Sequence, residues 1–147
     1  MELGAIERAV TSRLPGGLAM LESWVLTNSF TRNREGVEAM GEMTAGAFAP
    51  LGFSAGRVPS VLGGCGRHVF LRRGGSSDLT LMLVSHLDTV YPAAEEAREG
   101  FRWRREGDRI YGPGVLDIKG GTLVMWLVLS ALAEAAPEAF ALPNWVL

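Results

Sequence analysis

The ten residues Leu81–Val90, LMLVSHLDTV, decide how this sequence folds. The first four are apolar, which predicts a buried strand. His86 and Asp88 follow, and residues two apart on a strand point to the same face, so the Asp88 carboxylate should lie beside the His86 imidazole. A carboxylate in this place can accept the hydrogen of one ring nitrogen and leave the lone pair of the other for a metal ion. The same triplet is also found where a strand simply ends at the protein surface.

A second segment, Tyr111–Gly121, reads YGPGVLDIKGG and holds Asp117 in a glycine-rich loop before an apolar helix. Flanking glycines allow unusual backbone dihedral angles, which can bring a carboxylate close to a ligand. A simpler interpretation is a turn in which Asp117 caps the helix. A phosphate-binding loop is not supported, because its pattern places the lysine after the glycines and Lys119 precedes them.

The elements around these segments alternate between helix and strand. Helical periodicity is found over residues 16–28, 34–50 and 120–136, strands are predicted over 67–73, 79–85 and 144–147, and a hairpin is predicted over 101–111. Such alternation predicts an α/β fold in which helices cover a sheet. We expect the strand 79–85 to be central in this sheet. The helix 120–136 should pack on it and bury Leu123, Trp126 and Leu127.

Composition narrows the class of protein. The chain has 147 residues, of which 48% are apolar and 20% are charged, so it suits one domain with a real core. A net charge of −2 gives no field that would recruit nucleic acid or an acidic membrane. The apolar run Leu123–Ala133 is shorter than the about 20 residues that span a bilayer, and the N-terminus is charged where a signal peptide is apolar. We therefore expect a cytoplasmic protein without nucleic-acid or membrane partners.

Three other features have simpler interpretations. Cys65, the only cysteine, has no partner for an internal disulfide, so we predict a passive thiol. His68, in RHVFLRR, is expected to be a half-exposed strand histidine. The stretch FRWRR resembles a nucleic-acid-binding stripe, but the surrounding Glu99, Glu106 and Asp108 favour an exposed hairpin face.

Together the two segments resemble the di-zinc metallopeptidases of family twenty, which include aminoacylase, acetylornithine deacetylase, succinyl-diaminopimelate desuccinylase and glutamate carboxypeptidase. The first family motif, an apolar strand ending in His-x-Asp-(Thr/Val), is matched by Ser85–Val90. The second, Gly-x-Gly-x-x-Asp-x-Lys-Gly-Gly, is matched by Gly112–Gly121. The resemblance covers most of the chain from about Asn28. It implies a three-layer α/β/α catalytic domain, of which residues 1–147 would be a truncated N-terminal portion.

The resemblance also implies roles for individual residues. His86 would be a terminal ligand of one zinc, Asp117 would bridge two zincs, and Asp88 would orient His86 as part of the catalytic site. The peptide bond between Asp117 and Ile118 is often cis in the family. Ile118 departs from the acidic residue often found there, but that position is not a ligand. The other ligands and the glutamate base would follow the strand that starts at Asn144, and none of them is in this chain.

These roles imply a zinc-dependent hydrolase of amide bonds, either a metallopeptidase such as a carboxypeptidase or an N-acyl amino acid deacylase. Two zinc ions, with cobalt as an alternative metal, would activate a water and polarise the substrate carbonyl. The expected partners are a small peptide or N-acyl amino acid as substrate and, in the full-length form, a second copy in a homodimer. The alternative is a non-catalytic truncated product, or a module that binds metal or another protein. We expect the chain by itself to be inactive or nearly so, because catalytic zinc usually takes three protein ligands.

Overall fold

The structure is a computed structural model that describes residues 3–147. Its helices are α1 (Leu3–Leu26), α2 (Arg34–Phe48), α3 (Ala93–Glu99), α4 (Gly120–Ala135) and α5 (Pro137–Ala141), with a 3₁₀ turn at Ala49–Leu51 and a π-helical turn at Val115–Lys119. Its strands are β1 (Ser54–Val58), β2 (His68–Arg73), β3 (Thr80–Met82), β4 (Arg104–Glu106), β5 (Arg109–Tyr111) and β6 (Asn144–Val146). The predicted α/β class is confirmed.

Four strands form the main sheet in the order β1-β2-β6-β3. β2 is antiparallel to β1 and β6, whereas β6 is parallel to β3, so that Val146 lies opposite Arg72 on one side and Met82 on the other. A separate hairpin joins β4 to β5 through a turn at Gly107, whose φ of 61° suits glycine. The hairpin predicted over residues 101–111 is therefore confirmed, with shorter strands.

The strand predicted over residues 79–85 is shorter than expected and is not central. Only Thr80–Met82 is strand, and among the described residues it pairs on one side only, with β6. The last ladder bond, from the Leu83 amide to the Val146 carbonyl, is 2.8 Å long and lies where β6 ends. The prediction of a central strand was therefore wrong. It rested on the apolar run, which predicts burial on both faces, whereas Met82 is 68% exposed.

Helix α1 is longer than the helix predicted over residues 16–28. It begins at Leu3 and continues through Pro15, a residue that normally disfavours a helix interior. Close packing against α4 accounts for the glycine at position 17, two residues after Pro15. A Cβ on Gly17 would lie 2.9 Å from Cδ1 of Leu123, so a larger residue here would require the Leu123 side chain to shift. Tertiary packing thus outweighs the weak local helix propensity of this stretch.

Helix α4 lies at the centre of the core. Its residues Leu123 and Leu127 are 4% and 7% exposed and pack against α1 and α2, while Leu129 packs in a second cluster that includes sheet residues. The indole Nε1 of Trp126 donates a hydrogen bond of 3.0 Å to the Ala47 carbonyl. The expectation that the helix 120–136 packs on the sheet is confirmed, with Leu123 and Leu127 buried and Trp126 half-buried.

The segment Val115–Ala135, which includes α4, is long and apolar enough to cross a membrane by length and composition alone. A helix that is apolar on most sides is also typical of a protein core. The buried leucines of α4 lie in the core of this protein, where they contact α1, α2 and the sheet.

The helices and the main sheet form layers. Along β2, the side chain of Leu71 faces the helices, whereas His68, Phe70 and Arg72 alternate with it and are exposed. No helix within residues 3–147 covers that face of β2. At β2, the described residues therefore form two layers of the predicted α/β/α arrangement, one layer of helices and the sheet.

Candidate metal centre

His86 and Asp117, which lie 31 residues apart in sequence, meet beyond the end of β3. Nε2 of His86 is 3.0 Å from Oδ1 of Asp117. Two atoms that each bind one zinc at 2.0–2.2 Å are at most about 4 Å apart, so this separation fits two ligands of a shared ion. The structure thus brings together the two residues that the sequence analysis assigns to zinc, and their role as ligands stays a prediction.

The other ring nitrogen of His86, Nδ1, faces Asp88. It is 3.0 Å from the Asp88 backbone oxygen and 3.3 Å from the carboxylate Oδ1. The sequence predicts the carboxylate as its acceptor, and the structure adds the backbone oxygen as a nearer one. Both acceptors favour a hydrogen on Nδ1, which directs the lone pair of Nε2 toward Asp117. A lone pair facing a carboxylate oxygen is favourable only with a cation between them, either a proton or a metal ion.

Asp117 lies in a loop whose backbone is set by its neighbours. The peptide bond between Asp117 and Ile118 is cis, as the family resemblance implies. Gly114 has a φ of 76°, and a Cβ there would lie 2.9 Å from Cγ2 of Thr89. Asp117 does not cap helix α4, since that helix begins after Lys119 without a capping bond from a side chain. The carboxylate instead points to His86, so the simpler interpretation of this residue was wrong.

Lys119 is the only lysine in the sequence, and it is 2% exposed. Its Nζ donates hydrogen bonds of 2.8 Å to the Trp24 carbonyl and 2.9 Å to the Thr27 carbonyl, at the end of α1. Burial lowers the pKa of Lys119 from 10.5 to about 8, and the charge of Glu96 opposes this shift. Lys119 therefore attaches the loop of Asp117 to α1. The sequence analysis missed this role, although a single lysine before a strongly apolar helix was an available signal.

A pair of hydroxyl groups connects the two halves of the site. Oγ of Ser85 and Oγ1 of Thr122 are 2.6 Å apart, and the Thr122 hydroxyl also lies 3.2 Å from the Ile118 carbonyl oxygen. Ser85 precedes His86 and Ile118 follows Asp117. Thr122, buried in the first turn of α4, thus holds the segments of His86 and Asp117 in register. The sequence offers no signal for this contact.

A groove of about 540 Å³ opens beside His86. It is lined on one side by residues 67–70 and on the other by residues 82–88, with Val146 and Leu147 between them. Since β6 pairs with β2 on one side and β3 on the other, the groove continues the line of β6 toward the site. Its lining is largely apolar side chains.

The remaining sequence candidates do not join the site. His68 is exposed on β2, and it lines the groove together with the half-buried Cys65. The guanidinium of Arg104 stacks 4.4 Å from the ring centroid of Tyr111 and pairs with Glu106 at 2.6 Å. These contacts within the hairpin agree with its interpretation as an exposed protein face.

Taken alone, the described residues do not form a complete metal site. Within residues 3–147 no group of three His, Cys, Asp or Glu side chains is placed to hold a metal ion. His86 and Asp117 place two atoms of suitable chemistry side by side, fewer than the three protein ligands of a typical catalytic zinc. The donor types, an imidazole nitrogen and a carboxylate oxygen, are those that zinc accepts.

Comparison with known proteins supports the motif assignment. Residues 82–142 match Peptidase family M20/M25/M40. Carboxypeptidase G2 from Pseudomonas sp. (strain RS-16) is 35% identical over 127 residues, which are 86% of this chain and 30% of that protein. Succinyl-diaminopimelate desuccinylase from Gluconobacter oxydans (strain 621H) is 28% identical over 95 residues, which are 65% of this chain and 25% of that protein. The chain thus spans less than a third of the length of these relatives, and the resemblance to metallopeptidase family twenty is confirmed.

Two solved structures share the fold. The dipeptidase Dug1p from Saccharomyces cerevisiae aligns with a TM-score of 0.76 at 18% identity. Human carnosine dipeptidase 1 aligns with a TM-score of 0.77 at 20% identity. Each alignment covers 99% of this chain and 33% of the other. Residues 3–147 therefore share the fold of about one third of each of these two structures.

Proposed function

From the match of residues 82–142 to peptidase family M20/M25/M40 and the 35% identity to carboxypeptidase G2, we propose that this chain supplies the first part of the active site of a zinc-dependent amide hydrolase. The observation that carries the proposal is the 3.0 Å approach of His86 Nε2 to Asp117 Oδ1. Both side chains come from the family motifs, and His86 Nδ1 is engaged by Asp88. An imidazole and a carboxylate held in this way form the beginning of a ligand set.

His86 and Asp117 would hold the metal, and Asp88 would keep the His86 ring in its orientation. When bound, zinc supplies Lewis acidity toward a carbonyl oxygen and lowers the pKa of a bound water. The chain's own contribution is geometric. Lys119 fixes the Asp117 loop to α1, and Thr122 fixes it to the segment of His86. The side chains are thereby placed before any ion binds, which reduces the ordering that binding requires.

The proposed substrate is a small peptide or an N-acyl amino acid. Support comes from the names of the relatives, a carboxypeptidase and a desuccinylase, both of which describe hydrolysis of an amide. The proton transfers in such a reaction need a general base. In the family that this chain resembles, a glutamate serves as that base. No described glutamate lies among the residues that meet at this site.

A non-catalytic role is the second candidate. It is favoured by the small number of ligands, because His86 and Asp117 are not joined by a third metal-binding side chain among the described residues. A protein of this kind would bind one metal ion weakly or none. An enzyme site that is complete would bind two.

Zinc binding to the 147-residue chain tests the proposal, with free zinc set by a competing chelator. We expect one weakly bound zinc, with affinity reduced at least tenfold by His86→Ala and by Asp117→Asn. His68→Ala is the matched control, since His68 is an exposed histidine on β2, and it should leave the affinity unchanged. Equal affinity in the wild type, His86→Ala and Asp117→Asn would overturn the proposed metal site.

A further inference from the structure

The loop between α1 and α2 runs beside the segment that carries His86. The Thr31 amide donates a hydrogen bond of 3.0 Å to the Thr89 carbonyl, and the Thr89 amide donates one of 2.8 Å to the Ser29 carbonyl. These two backbone bonds fix the loop against the residue that follows Asp88. The backbone of Thr31 is therefore held in place without any contribution from its side chain.

The side chain of Thr31 makes a separate contact. Its Oγ1 donates to Oδ2 of Asp88 at 2.5 Å, while the Thr89 carbonyl oxygen is farther away at 3.2 Å. A hydroxyl has one hydrogen to donate, and the shorter distance assigns it to Asp88. The second carboxylate oxygen, Oδ1, is the one that lies 3.3 Å from His86 Nδ1. Each oxygen of Asp88 thus has its own partner.

We infer that Thr31 is a positioning residue of the metal centre, acting on His86 through Asp88. By occupying Oδ2, the hydroxyl stops the carboxylate from rotating and keeps Oδ1 toward the imidazole. The imidazole is then held with its hydrogen on Nδ1 and its lone pair on Nε2, the form that a metal requires. The inference rests on the proposed function and adds a residue from outside the two sequence motifs.

Three variants separate this role from a general effect on stability. Thr31→Val keeps the shape of the side chain and removes the hydroxyl, while the backbone bonds to Thr89 and Ser29 remain. Thr31→Ser keeps the hydroxyl and should behave as the wild type. Thr44→Val is the matched control, because it removes a buried threonine hydroxyl whose bond, 2.8 Å to the Met40 carbonyl, lies inside α2.

The first measurement is the tautomer of His86 in the metal-free chain, read from the ¹⁵N chemical shifts of its ring. The sequence has two histidines, so His68 serves as an internal reference. The spectra are recorded at pH 8.5, where a free imidazole is neutral. In the metal-free chain Asp88 favours the hydrogen on Nδ1 and Asp117 favours it on Nε2, so we expect both tautomers in the wild type. Thr31→Val should shift their ratio about fivefold toward Nε2, as expected for a lost hydrogen bond to Asp88. Thr31→Ser and Thr44→Val should show no shift.

The second measurement is zinc affinity by chelator competition. Thr31→Val should bind zinc about fivefold to tenfold more weakly, with affinity restored in Thr31→Ser. If the wild type binds zinc through His86 but Thr31→Val matches it in both tautomer and affinity, the positioning role is overturned and the metal site stands. If binding does not depend on His86, the proposed function fails, and the tautomer ratio still decides whether Thr31 orients the ring.

Discussion

The site loops and the edge strand β3 differ sharply, although they are adjacent in sequence. Around the site, polar groups are engaged: Lys119 is bonded to α1, Thr122 to Ser85, and Thr31 to Asp88. Along β3, apolar side chains are exposed instead, with Leu81 at 38% and Met82 at 68%. Buried polar contacts of this kind fix one geometry, whereas exposed apolar surface marks a place that a partner could cover. The chain therefore has a site that is ordered in detail and a sheet edge that lacks a neighbour among the described residues.

The largest expected effect is on activity, and it tests whether the ordered site alone is sufficient for catalysis. We expect the 147-residue chain with added zinc to hydrolyse dipeptides and N-acyl amino acids at least 10²–10⁴-fold more slowly than a version extended through the remaining ligands and the glutamate base. The physical reason is that two ligands without a general base neither hold two zincs nor move the proton. The measurement is turnover of both chains with the same substrates.

His86→Ala in both chains is the control for that comparison. Turnover by the short chain at the rate of the long one, abolished by His86→Ala, would mean that the described residues suffice for catalysis.

The next effect is the pH dependence of stability set by Lys119. Burial lowers its pKa in the folded state to about 8 from 10.5. Between these values the unfolded chain still binds a proton that the folded chain has released, so the free energy of unfolding should rise with pH, by about 3 kcal/mol in total. A neutral amine keeps two N–H donors for the carbonyls of Trp24 and Thr27, so both bonds survive deprotonation. Urea unfolding at pH 7.5, 9 and 10.5 measures the rise.

Lys119→Met isolates this contribution from other groups that titrate in the same range. The stability of the wild type relative to Lys119→Met should increase over that interval by about 3 kcal/mol. Because Lys119 is the only lysine, its Nζ resonance can be followed alone. A midpoint near 10.5 would show that the amine is solvated, and the loop would then not be fixed in the way described.

How much of this structure the sequence predicts depends on how clearly apolar or motif residues mark each element. The motif residues and α4 were identified because His86, Asp88 and Asp117 lie in distinctive patterns and α4 is a long apolar run. The elements that were missed, β1, α3 and α5, bury few side chains: β1 and α3 bury none and α5 buries only Phe140, so no apolar pattern marks them. The partners of Lys119 and Thr31 were also missed, because such contacts join segments far apart in sequence and carry no local signal.

A smaller effect tests whether the loop geometry depends on glycine. Gly114→Ala introduces a Cβ at a φ of 76°, 2.9 Å from Thr89 Cγ2 and 3.1 Å from Lys119 Cδ. We expect a loss of about 1–3 kcal/mol in the free energy of unfolding, with weaker zinc binding. Gly16→Ala is the matched control, since nothing lies within 4 Å of its Cβ and its helical position should gain up to about 1 kcal/mol. Equal effects of the two substitutions would remove the argument for a constrained loop.

The smallest effect concerns the exposed edge. Among residues 3–147 no strand pairs with the outer edge of β3, and apolar edge strands promote association between molecules. A charge on Met82 should oppose this, so Met82→Lys is expected to weaken self-association of the chain about tenfold, or about 1.4 kcal/mol. Val61→Lys adds the same charge at a loop residue that is 97% exposed and should change association little. Sedimentation velocity over a range of concentrations gives both values. Identical association of Met82→Lys, Val61→Lys and the wild type would show that the edge is not the contact surface, even though its side chains are exposed.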